Sequence, residues 1–210
     1  MEILIYIITA VQAYIIGGVN GAIIASKYLY RRDIRELGSG NPGLTNFYRV
    51  FGKRGAALMI IIDVAKTLGP VLIGGLLFSR FLHSGLSGRI FAGFFVMLGH
   101  AFPLFYNFKG GKTVLAIGVL LFSIDWRVTL LGWGIFVVVL LATRYVSLGA
   151  VVGVWGYPIA LALFRVGTGR DLVIAILCAL LLVVRHSANI KRLINHKESK
   201  LKLHRGGRSK

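Results

Sequence analysis

Apolar residues run along this chain in seven blocks separated by short polar connections, near residues 3-26, 55-78, 89-107, 113-124, 128-143, 148-164 and 171-187. A bilayer core takes about 20 apolar residues per helix, with roughly 17 to 25 usual. The blocks therefore predict an all-α polytopic membrane protein with about seven transmembrane helices. The fourth and fifth blocks are short. Read as one helix, 113-143 would overshoot the bilayer by about half, and Asp125 and Arg127 interrupt it. Two short, packed helices fit better, and short helices suit an enclosed site. The first lysine is Lys27, so the amino terminus lacks the basic stretch of a cleaved signal peptide, and 3-26 is read as a retained helix. Residues 1-197 are expected to form one integral-membrane unit and 198-210 a basic tail.

Composition agrees with the pattern: 56% of residues are hydrophobic and the mean hydropathy is +0.77, more than a soluble domain with a polar surface carries. Charge adds an orientation. Lys and Arg number 25 against 7 Asp and Glu, a net charge of +18, and most of that excess lies in a few short segments. The connections at 27-54, 108-112 and 144-147, with the tail from 185, hold nineteen of the cations, while the alternate connections hold five, Arg80, Arg89, Arg127, Arg165 and Arg170. The excess places the first group in the cytoplasm, with the amino terminus outside and the carboxyl terminus inside. Clusters of this kind suit an anionic membrane surface. Nucleic acid would account for the surplus but not for the apolar blocks, so no nucleic-acid partner is expected.

Three chemically dense segments fall on that one side and are expected to meet. "GSGNPGLTNFYR" offers Gly38, Gly40 and Gly43, which expose backbone N–H groups. It adds Ser39, Asn41, Thr45 and Asn46 as hydrogen-bonding side chains and Arg49 as a fixed cation, an inventory that suits phosphate. "GHAFPLFYNFKGGKT" places Lys109 and Lys112 around Gly110-Gly111 at a helix start, where free N–H groups and the dipole favour an anion. "RHSANIKRL" sets Arg185, His186, Asn189 and Arg192 at helical spacing near the end of a block.

Other readings are weaker. The "GGKT" stretch lacks the glycine of a nucleotide-binding loop, because Tyr106 stands five residues before Gly111. The five histidines have no zinc spacing and Cys178 is the only thiol, so no metal site and no intrachain disulfide are expected. "GSGNPG" is not a nucleophile elbow. Asp63 and Lys66 are three apart inside a block, where charges are costly; a functional pair and a structural ion pair both fit.

At these segments the chain closely resembles the bacterial membrane acyl-phosphate:glycerol-3-phosphate acyltransferases of the PlsY type. The likeness is carried by "DIRELGSGNPGLTN", "GHAFPLFYNFKGGK", "TRYVSLG" and "RHSANIKRL", in that order over nearly the whole chain. It implies an inner-membrane enzyme, its active site facing the cytoplasm, that moves a fatty acyl group from acyl phosphate to the 1-hydroxyl of glycerol 3-phosphate. The products would be lysophosphatidate and phosphate. Substrates and membrane lipid would be its partners, with an enzyme that supplies acyl phosphate, and neither cofactor nor metal is required. The resemblance implies that Ser39, Asn41, Thr45, Asn46 and the loop N–H groups hold the acyl-phosphate head, its tail lying in an apolar groove. Arg49, Lys112, His186 and Asn189, with Ser147, would orient glycerol 3-phosphate. Acyl phosphate is already activated, so positioning and charge stabilisation supply most of the catalysis. Direct attack by the glycerol hydroxyl is favoured, with its proton taken by a substrate phosphate or by His186; a covalent acyl-Ser39 is the competing mechanism. The chain departs from the family pattern at Leu44, where alanine is usual, and at Thr67, Thr113 and His196, where glycine is usual, so a paralogue with altered substrate stays open. A transporter or flippase for a phosphorylated solute is the alternative class, since charges in a span and an anion-binding loop also serve alternating access.

Overall fold

The computed structural model describes residues 1-201. Among these residues there is no strand. The helices are α1 (Glu2–Gly17), α2 (Gly21–Tyr30), α3 (Leu44–Leu82), α4 (Gly85–Ala101), α5 (Val114–Ile124), α6 (Trp126–Thr143), α7 (Val146–Gly153), α8 (Gly156–Leu163), α9 (Gly169–Arg185) and α10 (Ser187–Ile194). Short 3-10 turns at Ile34–Glu36 and Leu104–Tyr106 lie in the connections that carry the first two polar segments.

By length and composition, five helical stretches are able to cross a membrane: α1 with α2, α3, α4, α6, and α7 with α8. The pair α9 and α10, bent by 59°, makes a sixth if taken as one span, and α5 is a shorter apolar helix. The bundle thus differs from seven uniform spans. The block 3-26 is two helices, broken at 18-20, where Asn20 caps α2 by accepting from Ile23 N at 3.0 Å. The block 148-164 likewise breaks after Gly153, and the second block is part of a longer helix that starts at Leu44. That helix kinks at Gly52, whose φ of 74° is open to glycine. The predicted division of 113-143 holds: Asp125 caps α6 through Arg127 N at 2.8 Å and pairs with the Arg127 guanidinium.

The break between α1 and α2 explains the charges of the second block. A helix broken in an apolar surround strands backbone groups, at a cost of several kcal/mol each. Asp63 Oδ1 accepts from Gly21 N at 3.0 Å, and the Lys66 ammonium donates to Val19 O. Lys66 also pairs with Asp63 at 3.1 Å and meets His100 Nδ1 at 2.8 Å. An ammonium has three N–H groups and no lone pair, so His100 Nδ1 accepts and its proton sits on Nε2. Asp63 and Lys66 are therefore a structural pair, pinning α2, α3 and α4 together at one level.

Small residues let the helices approach closely, as membrane helix packing requires. A Cβ added at Gly17 would meet the Val96 backbone, and one at Gly74 the Ala92 side chain and Gly88 backbone. Close packing on one side leaves apolar residues of α1 and α6, among them Ile3, Val11, Val138 and Leu141, exposed on the outside of the bundle.

The tail boundary also shifts. Glu198, Lys200 and Leu201 lie against the α6–α7 turn: Leu201 N donates to Arg144 O at 2.7 Å and Lys200 Nζ sits 5.4 Å from the Tyr145 ring centre. Residues 198-201 thus belong to the packed unit, and the rest of the expected tail lies outside the described residues.

Candidate active site

The first polar segment is a tight loop between α2 and α3. Gly38 and Gly40 adopt left-handed backbone, with φ of 59° and 69°, which glycine reaches at no steric cost. The turn they make brings Ser39 N to Asn46 Oδ1 at 2.9 Å, while Asn46 Nδ2 donates to Leu37 O at 2.9 Å. Both ends of the Asn46 amide are thus engaged, and the residue is buried. This corrects two sequence expectations: Asn46 acts as the clamp of the loop, and the Ser39 N–H is spent inside it. Asn20 Nδ2 ties the same loop to the helix break through Pro42 O at 3.3 Å.

What remains free faces outward. No side chain caps α3 at Gly43, so the N–H groups of its first turn point at any anion placed there. Ser39, Thr45 and Arg49 are exposed, and Thr45 and Arg49, four apart, share a face of α3. Asn41 and Gly43 lie between them, joined by Gly43 N to Asn41 O at 2.9 Å.

The second segment corrects the idea of a helix start with free N–H groups at Gly110-Gly111. The helix α5 begins at Val114, and Gly111 N donates to His100 O at 3.0 Å. The two glycines are there for room: a Cβ on Gly110 would strike the His100 carbonyl, and one on Gly111 the His100 ring. Their carbonyls accept from Arg185, Nη2 to Gly110 O at 2.9 Å and Nε to Gly111 O at 3.1 Å, and the guanidinium lies over the Phe102 ring. Arg185 and His100 therefore fix the backbone that presents Lys112. Lys109 is exposed, and no hydrogen bond or ion pair joins its side chain to the cluster among the described residues.

Lys112 reaches the third segment, donating from Nζ to Asn189 Oδ1 at 2.6 Å. Asn189 lies on α10, and His186 sits at the bend between α9 and α10, buried. The 59° bend turns both inward. His186 Nδ1 lies 2.8 Å from Leu182 O. A carbonyl only accepts, so Nδ1 carries the proton and the neutral ring keeps its lone pair on Nε2. Ser147, in the first turn of α7, joins from the "TRYVSLG" motif.

The residue that sequence reading missed is Glu198. Its Oε1 accepts from Ser147 Oγ at 2.8 Å and Asn189 Nδ2 at 2.6 Å, and its Oε2 from Arg192 Nε at 2.7 Å. The available signal was its isolation, as the one acid after residue 185 among eight cations. Burial alone would raise the Glu198 carboxyl, but the bonds from Asn189, Arg192 and Ser147 outweigh it and hold it below the usual range. Around Lys112 the balance is positive: burial lowers its pKa, and Arg192, Arg185 and Arg49 lower it further, with Glu198 alone opposing them. The connection that carries the first segment meets the second through Arg35, whose guanidinium lies 5.7 Å from the Tyr106 ring centre. Three cations, Lys112, Arg185 and Arg192, with the one carboxylate of Glu198 leave the site short of negative charge, which an anionic ligand supplies.

No group of three or more His, Cys, Asp or Glu side chains able to hold a metal is present among the described residues.

A family model for glycerol-3-phosphate acyltransferase matches residues 7–196. This chain belongs to the glycerol-3-phosphate acyltransferase family. The glycerol-3-phosphate acyltransferase of Thermoanaerobacter pseudethanolicus is 38% identical over 196 residues, covering 93% of this chain and 95% of that protein. Among solved structures, the glycerol 3-phosphate form of PlsY (YgiH), an integral membrane glycerol 3-phosphate acyltransferase, has a TM-score of 0.82 at 30% identity. The match covers 94% of this chain and 96% of that one. The lysophosphatidic acid form of PlsY matches with a TM-score of 0.80 at 28% identity over 94% and 95% of the two chains.

Proposed function

We propose that this enzyme takes its acyl group from acyl phosphate and transfers it to the 1-hydroxyl of glycerol 3-phosphate, at a site on the cytoplasmic face of a bacterial inner membrane. The observation that carries the reading is the convergence of Lys112, Arg185 and Arg192 with the Glu198 carboxylate, and the uncapped start of α3 supports a second anion position. Two anion positions suit two phosphate-bearing substrates. The acyl-phosphate head sits at the first loop, on the N–H groups of the α3 first turn with Ser39, Asn41 and Thr45. Glycerol 3-phosphate sits between Arg49 and Lys112, with Asn189 and Ser147 on its far side.

The reaction then needs no protein nucleophile. The 1-hydroxyl oxygen attacks the acyl carbonyl carbon, the carbon–oxygen bond to phosphate breaks, and inorganic phosphate leaves. The hydroxyl proton passes to His186 Nε2, the lone pair that the Leu182 bond leaves available. Lys112 and Arg49 stabilise the charge that develops on the phosphoryl oxygens. Ser39 serves as a hydrogen-bond donor: its hydroxyl is exposed and has no hydrogen bond to a base among the described residues, which supports direct transfer over an acyl-serine. An enzyme that makes acyl phosphate completes the supply.

Seven alternating crossings would bring all four motifs to one end of the bundle, and the excess of lysine and arginine in those connections supports a cytoplasmic position for it. The test of the donor is direct. Purified protein in lipid is given labelled glycerol 3-phosphate with palmitoyl phosphate, and separately with palmitoyl-CoA. Lysophosphatidate from acyl phosphate alone is expected; product from palmitoyl-CoA alone overturns the donor assignment, and no product from either points to the transporter class.

A further inference from the structure

Lys66 is buried in α3, and its ammonium, with three N–H groups, meets three acceptors. These are Val19 O at the break between α1 and α2, Asp63 Oδ1 at 3.1 Å, and His100 Nδ1 at 2.8 Å in the last turn of α4. No N–H is left for a ligand. Two of the contacts continue toward the site. Val19 and Gly21 flank Asn20; with Val19 O held by Lys66 and Gly21 N by Asp63, the Asn20 amide is aimed at the first loop, where its Nδ2 donates to Pro42 O at 3.3 Å. Pro42 precedes Gly43, the uncapped start of α3. In the other direction, the His100 ring fills the space that Gly111 leaves open, and His100 O accepts from Gly111 N at 3.0 Å. Lys112 follows directly. One ammonium thus stands, through the buried residues Asn20 and His100, between the loop offered to acyl phosphate and the segment that offers Lys112 to glycerol 3-phosphate.

We propose that Asp63, Lys66 and His100 are positioning residues of the transfer reaction. They hold the two substrate-binding segments in one register and so set the approach of the acceptor hydroxyl to the acyl carbonyl, without touching either substrate. The inference rests on the acyl-transfer reading above. Replacing a buried ion pair by apolar side chains of similar volume is often neutral or stabilising, so stability alone gives these charges little reason to be in the bundle. Register gives them one. Two substrates react only with the reacting atoms about 3–3.5 Å apart, and a displacement of about 1 Å caused far from the chemistry costs about 10²-fold in rate. The first loop and the Lys112 segment are remote in sequence, and the contacts of Lys66 tie them together.

The test reads kcat per binding site with palmitoyl phosphate as donor. Sites are counted by the stoichiometry of glycerol 3-phosphate binding in calorimetry, so that loss of folded protein does not pass for loss of rate. His100→Leu keeps apolar bulk and the Asp63–Lys66 pair but removes the ring acceptor. Its kcat per site falls by about 10²-fold, while the dissociation constant of glycerol 3-phosphate changes little, because Lys112 keeps its bond to Asn189. His100→Asn sets an amide oxygen where Nδ1 lies and recovers most of the rate. On the other arm, Asn20→Ser still caps α2 but is too short to reach Pro42 O, and its kcat per site falls by about tenfold or more. If one arm's variant does not fold, the other arm decides. Unchanged kcat per site in His100→Leu and Asn20→Ser, or a His100→Asn variant no faster than His100→Leu, overturns the proposal. So does loss of glycerol 3-phosphate binding in both arms, which marks a role in folding alone. Wild-type protein that makes no lysophosphatidate from acyl phosphate contradicts the acyl-transfer reading, whereas normal wild-type turnover with unaffected variants contradicts the positioning roles alone.

Discussion

Replacing Glu198 by alanine removes the anchor on which Ser147, Asn189 and Arg192 converge. Three hydrogen bonds to a carboxylate are lost, and bonds to charged groups contribute about 1.5–3 kcal/mol each. The Arg192 side chain is 44% exposed, so solvent screens that pair and it counts for no more than about 1 kcal/mol. Ser147 and Asn189 carry most of the rest and recover part of it by bonding water, which leaves a net loss of about 3 kcal/mol. Asn189 is also the partner of Lys112, so the loss reaches the phosphate site. A decrease of about 10²-fold in kcat/KM for glycerol 3-phosphate is expected if that energy is used to preset the site, together with a lower unfolding temperature in detergent. Glu198→Gln keeps an acceptor for Ser147 and Asn189 but turns an amide N–H toward the Arg192 guanidinium, so its effect falls between wild type and alanine. The pH dependence has a definite sign. The folded Glu198 carboxyl is held below its ordinary value, so its contribution is complete above about pH 4.3, the usual glutamate range, and is lost as pH falls through the lowered value. Kinetics at fixed acyl phosphate with thermal unfolding measure both effects. Wild-type kcat/KM and unfolding temperature in Glu198→Ala would refute the reasoning.

Three other outcomes follow from the same geometry. His186→Asn has no basic atom at the Nε2 position, so kcat falls by about 10²-fold or more with little change in KM; an unchanged kcat moves the proton to a substrate phosphate. The alkaline limb of kcat/KM lies below the ordinary lysine range, because burial and then Arg192 lower the Lys112 pKa and activity is lost as its ammonium deprotonates. Lys112→Arg removes that limb from the accessible range, and a limb that does not move assigns it to another group. Thr113 holds a φ of 63°, unfavourable for a β-branched residue. Thr113→Gly is expected to stabilise the protein by about 1 kcal/mol, seen as a rise in unfolding temperature. A fall instead shows that burial and the hydroxyl bond to Lys112 O outweigh the strain.

The membrane class, the all-helical fold and the meeting of the polar segments were legible because each is written in local composition. Apolar blocks declare helices in lipid, and Asp125 marks the division of α5 from α6 as a helix cap. The breaks inside 3-26 and 148-164 were hidden, because each apolar block resumes directly after its break. What permits the first break is a set of partners, Asp63, Lys66 and His100, that are remote in sequence. Glycine was read as phosphate-binding backbone at Gly110-Gly111, yet the Gly111 N–H serves His100 and both carbonyls serve Arg185, a use that only tertiary packing determines. Asn46 likewise reads as a ligand by type and acts as a clamp by position. Two departures from the family pattern gain a physical meaning. Thr113 and His196 both adopt left-handed backbone, with φ of 63° and 55°. The conformation that glycine would favour is kept where glycine itself is missing. Glu198 escaped notice because it falls in a basic stretch that resembles a lipid anchor.

The central claim is that segments far apart in sequence build one phosphate site, with Arg49 from the first and Lys112 from the second on the same ligand. A double-mutant cycle tests it: the dissociation constant of glycerol 3-phosphate is measured by calorimetry for wild type, Arg49→Gln, Lys112→Gln and the double variant. Two cations on one phosphate are coupled, so the double variant loses less affinity than the sum of the single losses, by 0.5 kcal/mol or more on the scale of about 0.5–3 kcal/mol for interacting sites. Losses that add in full would contradict the shared site.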